Sequence, residues 1–173
     1  MNHRTLAHAL IQNAKVFEGL LNNLPMDQIY WKPNHQSWCI LEVVCHLYDC
    51  EIEDFRSRVD HVLHRPKTDM PSIDPMSWVL DRQYLDQPFQ SKVQDFIGER
   101  TKSVMWLNQL EQPRWDNTYD HPNFGPMSAR LFLVNWLAHD YLHIKQINQL
   151  KLGWLQENGR ETLLYAGYDP SKA

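Results

Sequence analysis

Two histidines four residues apart, His139 and His143 in the stretch HDYLH, are the residues best placed to do chemistry. On an α-helix, positions four apart differ by about 40° around the axis, so both imidazoles leave one side and can share a metal ion. Spacing alone is weak evidence, because nine His in 173 residues give roughly 0.5 such pairs by chance. The surroundings strengthen it. Phe132, Trp136, Leu142, Ile147 and Leu150 fall within about 80° of His139 on a helical wheel, so the rings point with the apolar side chains toward the interior. Only Gln146 interrupts that side. Asp140, about 100° from His139, reads as a surface charge.

Two ligands make an incomplete site. A catalytic Zn²⁺ takes three protein ligands and keeps one position open, and in helical bundles such sites are assembled from facing helices. His46 is the candidate for the third. It lies in Trp38–Tyr48, which is apolar almost all round. The main apolar seam of that helix points roughly 140° away from it, which would leave His46 outside. Ile40, Val43, Val44 and Leu47 argue the other way, since they cannot all face solvent. Cys50, at i+4 from His46, is a further candidate ligand whose thiolate would favour Zn²⁺, although a free Cys is more often core filler. Glu42, Asp49 and Glu53 flank His46 within about 60°. They read either as a solvated acidic strip or, for Glu42 and Asp49 first, as groups that orient an imidazole or act as a base. His61 and His64 are expected to be exposed at the far end of the helix, and His121 stands in a loop before the last helix.

The elements that must position these residues are helical. Four long segments carry a 3-4 apolar spacing and none alternates at period two, which predicts an all-α chain. The first runs from about Arg4 to Asn23, and the second from about Ser37, as N-cap, to His64. Asp74-Pro75 predicts the start of a short helix. The third segment spans about Phe89–Leu110; the fourth opens near Gly125-Pro126-Met127-Ser128 and stops at Gly153. Two short connections and one long one give a four-helix bundle with a long crossover between helices two and three. Residues 1–153 form the bundle, and 154–173 an arm of the same domain.

Bulk properties narrow the function. A chain of 173 residues with 43% hydrophobic and 22% charged residues is one globular domain with a proper core. With 17 basic against 21 acidic residues and no basic run, it lacks the cationic face that nucleic-acid binding needs. No apolar run approaches a membrane span and MNHRTLAHAL has no signal-peptide core, so a cytoplasmic protein is expected. Cys39, Cys45 and Cys50 lie on one predicted helix, with Cys39 and Cys50 about 16 Å apart along the axis, too far to bridge. Three free thiols fit a reducing compartment.

WCILEVVCHLYDCE, NFGPMS and HDYLHIKQI, with LPMDQIYWKP after the first helix, resemble the DinB-like superfamily of bacterial four-helix bundles, which includes YfiT-like hydrolases and thiol S-transferases. The resemblance spans about Leu6 to Leu150. It implies that His46, His139 and His143 ligate one Zn²⁺ or Ni²⁺ with water completing the shell, and that the protein is a homodimer. It also implies a small-molecule substrate, with bacillithiol, mycothiol or glutathione as thiol candidates. A water or thiol bound to such an ion loses its proton more readily. The expectation is a metal-dependent transferase or hydrolase. The alternative is a non-catalytic metal-binding stress-response or interaction bundle. A plainer reading makes the histidines core residues hydrogen-bonded to backbone or to Glu42.

Overall fold

The computed structural model describes residues 2–169. Its core is a bundle of four long helical segments. The first, α1 (His3–Leu21), is capped by Asn2, whose side chain accepts from the Arg4 amide. After a short α2 (Met26–Ile29), the second segment begins with α3 (Ile40–Asp49), continues through a π-helical stretch at Cys50–Arg56, and ends as α4 (Ser57–His64). A short α5 (Trp78–Asp81) follows, then α6 (Phe89–Gln109) and α7 (Ala129–Gly159), where the Ser128 hydroxyl accepts from the Leu131 amide.

One start and one stop differ from the sequence expectation. The second segment is capped by Cys39, not Ser37: the Glu42 carboxylate turns back to accept from the Cys39 amide at 2.7 Å, closing a capping box. Helix α7 does not stop at Gly153. It runs on to Gly159, ending where Arg160 takes a left-handed φ of 53°. Gly153 serves packing instead, because the Trp31 indole lies against it where any Cβ would collide.

In the bundle, α1 packs on α6 and α7, α3 on α6, and α4 on α7. The first and second helical segments are therefore diagonal, as are α6 and α7. A diagonal step needs a long link, which accounts for two of the three connections; the third, between the neighbouring second segment and α6, is also long. Residues 22–39, 65–88 and 110–128 each carry small elements of their own. One is a hairpin, β1 (Thr118–His121) with β2 (Gly125–Ser128), antiparallel with Tyr119 opposite Met127. Its four-residue strands are too short to show a period of two, and Gly125 turns the chain at φ 71°.

The interior is not purely apolar. Arg100 on α6, 1% exposed, makes paired hydrogen bonds to Glu51 (both 2.9 Å) and to Asp140 (2.6 and 2.7 Å), and donates to the Leu10 carbonyl at 3.1 Å. Trp136 Nε1 donates to Glu51 at 2.9 Å and Asn13 Nδ2 to Asp140 at 3.1 Å. Burial works against the Arg100 charge, but Glu51 and Asp140 outweigh it and its pKa is raised. Asp140 is thus a buried ion-pair partner, not the expected surface charge. Leu142 is the converse: placed with the apolar side by the wheel, it is 65% exposed. The buried sector of α7 is turned by about 60° from His139 toward Asp140. His61, expected outside, is buried, with its Nε2 donating to the Thr68 carbonyl at 3.0 Å. Among the described residues, no helix is long and apolar enough to cross a membrane.

Candidate metal centre

His46 comes from α3, and His139 and His143 from one turn of α7. His46 is buried because Ile40–Leu47 is covered on every side: α6 and α7 flank it in the bundle, and α2, α5 and the turn at Tyr84–Asp86 close the rest. The conflict between the apolar seam and the all-round apolar stretch is settled in favour of burial. Just past this stretch, the i+5 bonding of Cys50–Arg56 changes the angle per residue. Glu51 accordingly faces Arg100, while Phe55 sets its ring 4.9 Å from His139 and stacks on Trp136.

The three ring Nε2 atoms meet. His139 Nε2 is 3.2 Å from His46 Nε2 and 3.0 Å from His143 Nε2, and the whole group of ring nitrogens falls within 4.8 Å. A tetrahedral ion with metal–nitrogen bonds of about 2.0–2.1 Å spaces its ligand nitrogens by about 3.3 Å. The donor set therefore fits one divalent cation. Hydrogen bonding alone fits poorly, because an Nε2–H on His139 can serve only one of two neighbouring lone pairs.

The second nitrogen of His143 has a defined partner. Nδ1 donates to Gln146 Oε1 at 2.7 Å, which leaves the Nε2 lone pair aimed at the group's centre. The Trp38 ring packs 4.8 Å from His46. Burial and then the His143 ring hold His46 down at about 3. Burial, then His143, His46 and Arg100, hold His139 at about 2. Burial also lowers His143, with the Gln146 bond opposing it. Neutral rings at pH 7 are what metal ligation requires.

The structure places the other sequence candidates elsewhere. Glu42 is occupied by Lys32 (2.7 Å) and the Cys39 amide. Asp49 accepts from the Tyr84 hydroxyl at 2.6 Å and pairs with Arg82 at 3.0 Å. Glu53 is exposed and pairs with Arg82. Cys50 Sγ lies 3.6 Å from both His46 ring nitrogens but outside the three-nitrogen group. Burial first, then Asp54, Asp49 and Glu51, push its pKa up, so it stays a thiol. The sequence reading noted Gln146 only as an interruption; its i+3 spacing from His143 was the available signal for an orienting partner.

A cleft of ≈ 920 Å³ lies alongside, its walls including Trp31, Trp38, Gln146 and Gly153. Trp38 packs on His46 and Gln146 bonds His143, so these two wall residues stand between the triad and the cleft. Its volume lies within the range common for small-molecule sites.

The solved structure of YfiT from Bacillus subtilis, described as a probable metal-dependent hydrolase with an unusual four-helix bundle topology, is similar with a TM-score of 0.77. The match covers 91% of this chain and 87% of that one at 14% identity, a likeness of fold. Among curated proteins, none matches the sequence. The family model for the DinB superfamily matches residues 9–147, which includes all three histidines. The chain belongs to the DinB superfamily.

Proposed function

We propose that the protein is a metal-dependent enzyme that activates a small molecule at His46, His139 and His143, with Zn²⁺ or Ni²⁺ as the native ion. The carrying observation is the meeting of three Nε2 atoms at 3.0 and 3.2 Å. Among the described residues, no Cys, Asp or Glu joins that group as a fourth ligand. Structural Zn²⁺ sites are closed by four protein ligands, so three favour a catalytic role. A divalent ion held there supplies Lewis-acid chemistry, lowering the pKa of a water or thiol that it binds.

The chain's own residues do the rest. Gln146 fixes the tautomer of His143. Trp38 and Phe55 pack on His46 and His139, limiting water around the rings. Glu42 and Asp49, already committed to Lys32, Cys39, Tyr84 and Arg82, act in structure and not as the base. The finer reading is transfer to or from a low-molecular-weight thiol. It is supported by the DinB resemblance; hydrolysis, the activity described for YfiT, uses the same three rings.

The test is elemental analysis of the purified protein, followed by turnover assays with thiols plus chlorinated electrophiles and with esters and amides. About one Zn²⁺ or Ni²⁺ per chain and metal-dependent turnover are expected. Bound metal without turnover on any of these would favour a non-catalytic metal-binding bundle.

A further inference from the structure

The cleft beside the triad is unusually short of charge. Its polar lining consists largely of the side-chain amides of Asn34, Gln36, Gln146, Gln149 and Gln156. Among the described residues, no Lys or Arg lines it. Its one carboxylate, Glu157, accepts from Trp31 Nε1 at 2.8 Å, a bond that holds the indole against Gly153 as part of the wall. Trp31 and Trp38 supply aromatic surface, with Leu150 beside them.

An amide side chain offers both donors and an acceptor, and so matches an amide or hydroxyl group on a ligand. A carboxylate or phosphate held against this lining would lose water and meet no Lys or Arg among the described residues that form it. Aromatic walls favour a flat or apolar ligand face. We propose that the cleft takes an uncharged small molecule bearing amide or hydroxyl groups beside an aromatic or apolar face. It selects against substrates that carry carboxylates away from the reacting group, glutathione included. This inference rests on the triad being the reacting site, since it concerns what lies next to that site.

Binding can be read without turnover. N-acetylphenylalanine amide and N-acetylphenylalanine, which differ only in amide against carboxylate, are titrated into the full chain by NMR, with and without Zn²⁺. The metal-free arm reports the lining alone. There the amide should bind at least about tenfold more tightly, a gap set by the unpaired buried carboxylate. Gln156→Lys should narrow the gap by about fivefold by supplying the missing cation. Gly153→Ala, by pushing Trp31 into the cleft, should weaken the amide. Equal or tighter binding of the carboxylate by the metal-free wild type would overturn the proposal. So would no shift of the Trp31 and Trp38 signals up to about 10 mM of either probe, or a gap unchanged by Gln156→Lys. Failure to take up Zn²⁺ would sink the metal reading while leaving the metal-free comparison intact.

Discussion

Asp140 and His139 are consecutive residues on α7, yet they belong to polar clusters of opposite kind. Asp140 sits in a closed network: Arg100 gives two hydrogen bonds to it and two to Glu51, while Asn13 and Trp136 supply further donors. One guanidinium bridges two carboxylates, the neutral donors add a bond to one oxygen of each, and each group has partners of complementary type. One residue earlier, three lone-pair-bearing rings crowd together with too few protons to share. The first cluster is finished by the protein itself, and the second is left with a donor set that fits a cation. Burial of polar groups does not by itself mark a functional site; an unmet requirement does.

Four measurements would break or sharpen that contrast. The largest effect is expected from Arg100→Met, which strands Glu51 and Asp140 as buried charges and should cost about 3–5 kcal/mol in denaturant unfolding. A loss below about 1 kcal/mol would mean the closed network is not what holds the four helical segments together. His143→Ala should behave oppositely. Metal affinity by equilibrium dialysis should fall more than about a hundredfold, beyond the loss expected for an outer partner, while the metal-free fold changes little. If that variant unfolds as Arg100→Met does, the two clusters are not distinct.

Gln146→Leu should leave the three rings in place but free the His143 tautomer, lowering metal affinity by about 10–100-fold. The smallest effect per step is the pH response of the metal-free protein. His46 and His139 titrate near 6.5 when unfolded but at about 3 and about 2 when folded. Below pH 6.5 the unfolded chain therefore takes up protons that the folded chain refuses. Stability is full above about pH 6.5 and falls as pH drops toward 3, by at most about 1.4 kcal/mol per pH unit for each ring. Chemical unfolding at pH 7, 6 and 5 checks the sign. A protein more stable at pH 5 than at pH 7 would contradict the burial of neutral rings.

The open cluster was easier to find in the sequence than the closed one. His139 and His143 stand on one side of a helix among apolar residues, a pattern readable from spacing. His46 was harder, because its burial depends on small elements in the connections that no single-helix wheel contains. The Arg100 network left almost no trace. A wheel places Asp140 outside, and only a guanidinium 40 residues away makes its burial tolerable. The winding change at Cys50–Arg56 was likewise hidden, since a wheel assumes one angle throughout. Helix extents followed propensity well except where tertiary contact decided them. Gly153 reads as a stop signal but survives inside α7 because Trp31 rests on it.

That seat has a kinetic corollary. Trp31 and Glu157 are 126 residues apart in the chain, so their bond closes a long loop, and such closures come late in folding. The last turns of α7 hold mostly exposed side chains. Fraying there would release the indole while the rest of the bundle stays folded. Amide hydrogens near residues 153–159 should accordingly exchange faster than those around Trp136, and the entrance should open and shut on its own clock.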